Sequence, residues 1–203
     1  MQVTELNTYR IYVTDKQDVD VESVLWIFYK CEQIHSDVVY VWEDGEEFVQ
    51  QQWDAIITNK LHTKIAVRVA DCSPIVVMGK NYFAVVHAWW RWLQSVIITK
   101  TIDILHAKGE KQLKAFIWPN SKSCCYEVGW EFKDYFDEKY LDHRWEKLYL
   151  DMDAIILDTL IDNWVKKEAI LFDPACTCCS DKHFSYRRGD RDQRMMVAVE
   201  KVF

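Results

Sequence analysis

"KIAVRVADCSPIVVMGKNYFAVVHA", residues 64–88, decides the fold. It holds three short apolar runs rich in β-branched residues, KIAVRVA (64–70), PIVVM (74–78) and YFAVVHA (82–88), separated by polar turns. Runs of this length and composition predict neighbouring strands. The period then changes. Between Trp89 and Lys108, residues Leu93, Ile97, Ile104 and Leu105 fall at helical spacings, and Gly109 offers a stop.

Working outward, YRIYVT, VLWIFYK and DVVYVW read as strands before this block, and LKAFIW (113–118), EAILF (168–172) and RMMVAVEKVF (194–203) as strands after it. Helices are predicted near 127–139 and 144–163. Strands and helices interspersed in this way predict an α/β (α+β) fold, a layered sandwich with a mixed β-sheet and flanking helices. At 203 residues, with no Pro/Gly/Ser-rich linker or repeat, the expectation is a single domain over residues 1–203.

Half the residues are hydrophobic and 28% are charged, as in a globular protein. The formal net charge of -7 with scattered cations argues against a nucleic-acid partner. The amino terminus lacks a signal-like pattern and no run approaches about 18 apolar residues, so the expectation is a cytoplasmic protein without a membrane partner. Seven cysteines, including Cys124–Cys125 and CTCC at 176–179, do not resemble a secreted disulfide framework; reduced thiols or metal ligands fit better. Ten Trp against five Gly and three Pro is an unusual ratio, because bulky rings occupy several apparent turns.

Three polar residues interrupt or end apolar runs. His87 lies at the end of its strand, on the face shared with Phe83 and Val85, and Cys72 follows the strand at 64–70. His35 sits in QIHSD (33–37). Strand ends in open sheets face ligand crevices. Taken alone, His87 reads as a buried core histidine, Cys72 as an inert thiol and His35 as a solvated loop side chain. Two imidazoles and one thiolate together form a three-ligand set for catalytic zinc that keeps a coordination position open.

QIHSD, ADCSPIVV, VVHAWWRWL, CCYEVG and FSYRRGDRDQRM occur in that order over roughly residues 30–200 and resemble the signatures of the bacterial laccase-domain polyphenol oxidases, also described as zinc-dependent purine nucleoside phosphorylases. The resemblance implies that His35, Cys72 and His87 bind zinc (copper less readily), with Cys72, His87 and Arg91 catalytic. It also implies phosphorolysis of adenosine, inosine, guanosine and methylthioadenosine, with deamination of adenosine as a second activity. Phosphate needs cations, and guanidinium groups suit it; Arg91, Arg187 and Arg188 are the candidates, with Tyr126 and Glu127 lining the pocket. The chain is read as a monomer or homodimer. In CTCC, Cys176 is ordinary for the family and Cys178 and Cys179 are additions; the expectation is reduced structural thiols.

This sequence departs from the family pattern where Trp89, Trp92, Trp118 and Trp164 stand for glycines. At a left-handed position such a change costs about 1–2 kcal/mol, and a ring at the start of a helix is expected to obstruct phosphate and to depress phosphorolysis. The segment around Arg10 lacks the family's glycine pair. Two other readings remain open: a metal-free hydrolase with Cys72 as nucleophile and His87 as base, and a catalytically impaired metal-binding interaction protein with Trp89 and Trp92 at a contact surface. Six histidines without closely spaced pairs argue against multicopper chemistry.

Overall fold

The computed structural model describes residues 1–18, 28–30, 32–93 and 96–203. The opening stretch supplies three strands, β6 (Lys64–Val69), β7 (Ser73–Met78) and β8 (Phe83–Ala88). β7 and β8 form an antiparallel hairpin at the centre of a six-stranded sheet. Beside β8 lie β5 (Ala55–Thr58) and then β4 (Val39–Trp42); beside β7 lie β9 (Lys114–Ile117) and then β13 (Ile170–Phe172). β6 crosses to a second sheet of five strands. There β14 (Met195–Lys201) pairs antiparallel with β6 on one side and with β2 (Tyr9–Val13) on the other; β1 (Gln2–Leu6) and β3 (Phe28–Lys30) form the edges.

Period-2 alternation explains the layering. Val76, Met78, Phe83 and Val85 turn one face of the six-stranded sheet onto Ile11, Ile65, Val67 and Val197 of the five-stranded sheet. Ile75, Val77, Ala84 and Val86 turn the other face onto helices α2 (Ile97–Ala107) and α3 (Met152–Asp162). A four-residue helix, α1 (Trp90–Leu93), follows β8. Gly109 ends the second helical segment in the left-handed region, φ 87°. The layers are therefore sheet, sheet and helices, the α+β sandwich expected, with three sheets in place of one. No helix among the described residues is long and apolar enough to cross a membrane.

Two expectations are corrected. The region 127–139 is not an α-helix: it holds the short strand β10 (Glu127–Val128) and a 3₁₀ segment, Trp130–Asp134. The predicted helix at 144–163 begins only at Met152, because β11 (Leu141–Arg144) and β12 (Lys147–Leu150) form a hairpin that joins β10 in a third sheet. Its two-residue loop places Trp145 at φ 59°, a position that normally takes glycine. Trp164 just beyond α3 has φ 67°, with Trp164 N donating to Ile161 O (3.0 Å) and Val165 N to Leu160 O (3.0 Å). That is a left-handed helix stop, another glycine site. Trp89 and Trp118 are not left-handed: Trp118 is buried against Phe116, ring centroids 4.2 Å apart. The side chain of Trp92 and the part of VLWIFYK before Phe28 lie outside the described residues.

Candidate metal centre

The strands that start from 64–88 bring three distant donors to one end of the sandwich. His87 is the penultimate residue of β8 and is buried. Cys72 immediately precedes β7, and His35 precedes β4 in a turn with φ 55°. One ligand atom from each of His35, Cys72 and His87 lies within 4.8 Å of the others. The His35 and His87 rings meet edge to face, centroids 4.9 Å apart.

Two buried aspartates hold this arrangement. Asp54, directly before β5, accepts from His87 Nδ1 at 2.7 Å through Oδ1, which also accepts from His35 N at 3.2 Å. Its Oδ2 accepts from Ser36 N (2.5 Å) and Ser36 Oγ (2.7 Å). A carboxylate on Nδ1 sets the tautomer and leaves Nε2 with its lone pair for an ion. Burial pushes the Asp54 carboxyl up, but bonds from His87 and Ser36 outweigh this and hold it below the usual carboxylate range. Asp71, at φ 80°, turns the chain so that Cys72 faces His87. Its carboxylate accepts from Thr177 Oγ1 (2.6 Å), Ser185 Oγ (3.0 Å) and Arg187 N (2.8 Å). The residue beside a candidate ligand thus also anchors the opposite wall.

The thiol and imidazole act on each other. Burial opposes a Cys72 thiolate, yet the His87 charge and hydrogen bonds from His35 and His87 bring its pKa down to about 7. Burial opposes the His87 imidazolium, yet Cys72 and Asp54 raise it to about 9. A polarised sulfur beside two ring nitrogens is a donor set for a borderline-soft divalent cation.

These donors line a cleft of about 1020 Å³. Trp89, Trp90, Tyr126 and Tyr186 give it aromatic walls, and Arg68, Arg187, Arg191 and Arg194 its positive charge. Arg187 lies 4.0 Å over the Tyr126 ring and donates to Glu127 O at 2.8 Å. Trp89 leans edge-on against His35, centroids 4.9 Å apart.

Three of the predicted site residues do not line this cleft. Arg188 turns into its own loop, donating to the carbonyls of Thr177 (3.0 Å), Cys178 (3.1 Å), Ser180 (2.7 Å) and His183. The Glu127 carboxylate pairs with Lys147 at 2.8 Å, and the residue opens a strand where a helix start was expected. Arg91 stands over the Trp89 and Trp90 rings, at 5.4 and 5.0 Å. Arg10 pairs with Glu5 away from the cleft. Asp54 was not singled out, because the short AIIT that follows it gives too little pattern to mark a strand.

Sandwich and centre together define a metal-binding, laccase-like protein class. Residues 8–200 match the family described as multi-copper polyphenol oxidoreductase laccase, and the chain belongs to that family. It is 42% identical over 150 residues to a purine nucleoside phosphorylase of Aquifex aeolicus (strain VF5), a match covering 74% of this chain and 71% of that one. It is 31% identical over 183 residues to another from Clostridium acetobutylicum, covering 82% and 73%. Among solved structures, a Neisseria meningitidis protein superposes with a TM-score of 0.81 at 20% identity, covering 100% of this chain and 99% of the other. The Bacillus licheniformis hypothetical protein YfiH gives 0.79 at 22% identity, covering 89% and 78%.

Proposed function

We propose that residues 1–203 act as one domain that cleaves purine nucleosides (adenosine, inosine, guanosine and methylthioadenosine) by phosphorolysis and also deaminates adenosine, using a zinc ion held by His35, Cys72 and His87. The convergence of these three donors at the floor of an aromatic and cationic cleft carries the reading. Zinc suits them because two imidazoles and one thiolate are a standard ligand set for a catalytic zinc ion. A zinc ion held by these residues would supply Lewis acidity to a substrate oxygen or to water.

The chain's own groups do the rest. Tyr186 and Trp90 offer faces for a purine, and Tyr126 supports Arg187 from beneath. Arg187, pre-oriented on Tyr126, offers its guanidinium to phosphate. Asp54 holds His87 in its ligating tautomer. In phosphorolysis a phosphate oxygen bonds to C1′ as the C1′–N9 bond breaks; the electron pair leaves with the base, which takes a proton from water in the open cleft. In deamination water adds at C6 and ammonia leaves. Trp89 against His35 crowds the cleft beside the ligands, so phosphorolysis is expected to be slow.

The Cys72–His87–Asp54 alignment also supports a metal-free cysteine hydrolase. Metal analysis with a chromatographic assay of adenosine and inosine, with and without phosphate, separates the two. Stoichiometric zinc and phosphate-dependent base release support phosphorolysis, and Trp89→Gly is expected to speed it. Metal-free protein, or base release indifferent to phosphate, overturns it.

A further inference from the structure

A second group of sulfurs lies outside the cleft. Cys124 and Cys125 sit on a tight turn in which Cys125 N and Tyr126 N both donate to Lys122 O at 2.9 Å. Cys176 and Cys179 span a second turn, a C-x-x-C, closed by Ser180 N donating to Cys176 O at 3.0 Å. Backbone joins the two turns: Asn120 and Cys176 form a parallel bridge, and Thr177 N donates to Asn120 O at 2.9 Å. The four Sγ atoms all lie within 4.8 Å of one another. Cys124 is 3.7 Å from Cys125 and 3.6 Å from Cys179, and Cys125 is 3.2 Å from Cys179.

Four thiolates bound tetrahedrally at about 2.3 Å stand about 3.8 Å apart, so the spacings among Cys124, Cys125 and Cys179 need adjustments of tenths of an ångström and Cys176, within 4.8 Å of each, a shift of at most about 1 Å. Nearby donors favour sulfur carrying negative charge. Lys122 N points at Cys176 Sγ from 3.5 Å. Arg188 places its guanidinium on the carbonyls of the 177–180 turn, and Arg144 places its own on Ser123 O. Two cations on the two turns match the excess charge of four thiolates around one divalent ion. Cys178 stays outside the group.

We propose that Cys124, Cys125, Cys176 and Cys179 form a second metal site, an all-thiolate structural zinc centre with no open position, separate from the His35–Cys72–His87 centre. This replaces the expectation of plain reduced thiols: no histidine pair is needed, because the turn at 124–125 brings the missing two ligands. One residue beside the first turn and one within the second connect to the cleft wall. Tyr126 carries Arg187, and Thr177 bonds Asp71. An ion here would fasten the cationic wall to the sandwich.

The test uses the whole chain, purified without chelator or added metal, with zinc as the probe and content read by mass spectrometry of the elements. The Cys72→Ser, His87→Ala variant isolates this site from the cleft and is expected to keep one tightly held zinc per chain. Adding Cys179→Ser to it is expected to abolish binding, whereas adding Cys178→Ser is expected to leave it. Because Cys179→Ser can harm folding, cobalt substitution in the double variant gives a second readout, thiolate-to-cobalt charge transfer of four-sulfur intensity. No zinc in the folded double variant, equal losses from Cys178→Ser and Cys179→Ser, or a Cys125–Cys179 linkage in protein alkylated at lysis would overturn the proposal. None of these outcomes depends on whether the cleft is an active site.

Discussion

Asp54→Asn is the substitution whose outcome is most tightly tied to the geometry. The carboxylate is fully buried and accepts from His87 Nδ1, from the amides of Ile34, His35 and Ser36, and from Ser36 Oγ. An asparagine retains one acceptor oxygen. If it faces Ser36, the new NH₂ meets His87 Nδ1–H and His35 N–H; the imidazole then favours its other tautomer and surrenders the Nε2 lone pair. If it faces His87, the NH₂ opposes Ser36. Either way a charge-assisted bond is lost, about 1.5–3 kcal/mol of stability. Removing such a partner behind a metal-bound histidine typically lowers metal affinity about 10–100-fold, or about 1.4–2.7 kcal/mol. Zinc competition against a chromophoric chelator measures the second quantity and urea unfolding the first. Ser36→Ala, which removes one bond to Asp54 and one from Val38 N but spares His87, serves as the control and is expected to shift zinc affinity far less. A folded Asp54→Asn protein with wild-type zinc affinity would refute the reasoning.

Other expectations follow from the same coordinates. Arg187→Ala is expected to raise KM for phosphate with little loss of stability, whereas Arg188→Ala, which strips donors from four carbonyls, is expected to lower the urea midpoint first; interchanged effects would contradict the assignment of wall and brace. Trp145 is 100% exposed and Trp164 84% exposed at left-handed φ, so replacing each with Gly relieves about 1–2 kcal/mol of Cβ strain, partly offset by unfolded-chain entropy. Denaturant curves should show net gains that add, since the sites share no contact. The Asp190 carboxyl is lowered to about 2 by bonds from Ser185 N, Lys16 and Arg188. Its folded pKa is below the ordinary 3.8, so its contribution is complete above about pH 4 and disappears as pH falls through 2. The stability gap between wild type and Asp190→Asn, followed against pH, checks this.

The candidate donors His35, Cys72 and His87 drew attention because each interrupts or ends an apolar run, but the runs do not say which strand ends meet, and it was the family resemblance that grouped the three. Asp54 drew none, because the four-residue AIIT is too short to register as a strand and its acid reads as a loop residue. The hairpin at 141–150 was mistaken for helix for a related reason. Its alternation is sound, Leu141 and His143 against Leu148 and Leu150, but Trp145 occupies the turn where a glycine would have announced it. Trp164 was marked because it stands where the family pattern has a glycine turn, and its φ of 67° agrees. Arg187 and Arg188 are adjacent and chemically identical, and no periodicity separates the one that faces the cleft from the one tied into the loop. Only the long-range bonds that Ser185 Oγ and Arg187 N donate to Asp71 do that.

The position of β14 has a consequence for how the chain is made. Val197 lies between Val13 and Val67 in the five-stranded sheet. During translation, the two earlier strands must therefore wait with bare hydrogen-bonding rims until a segment synthesised much later slots between them. Such non-local closure is slow, and bare rims invite pairing with other chains. Yield from the ribosome should thus depend on holdase chaperones and on growth temperature far more than equilibrium stability would suggest.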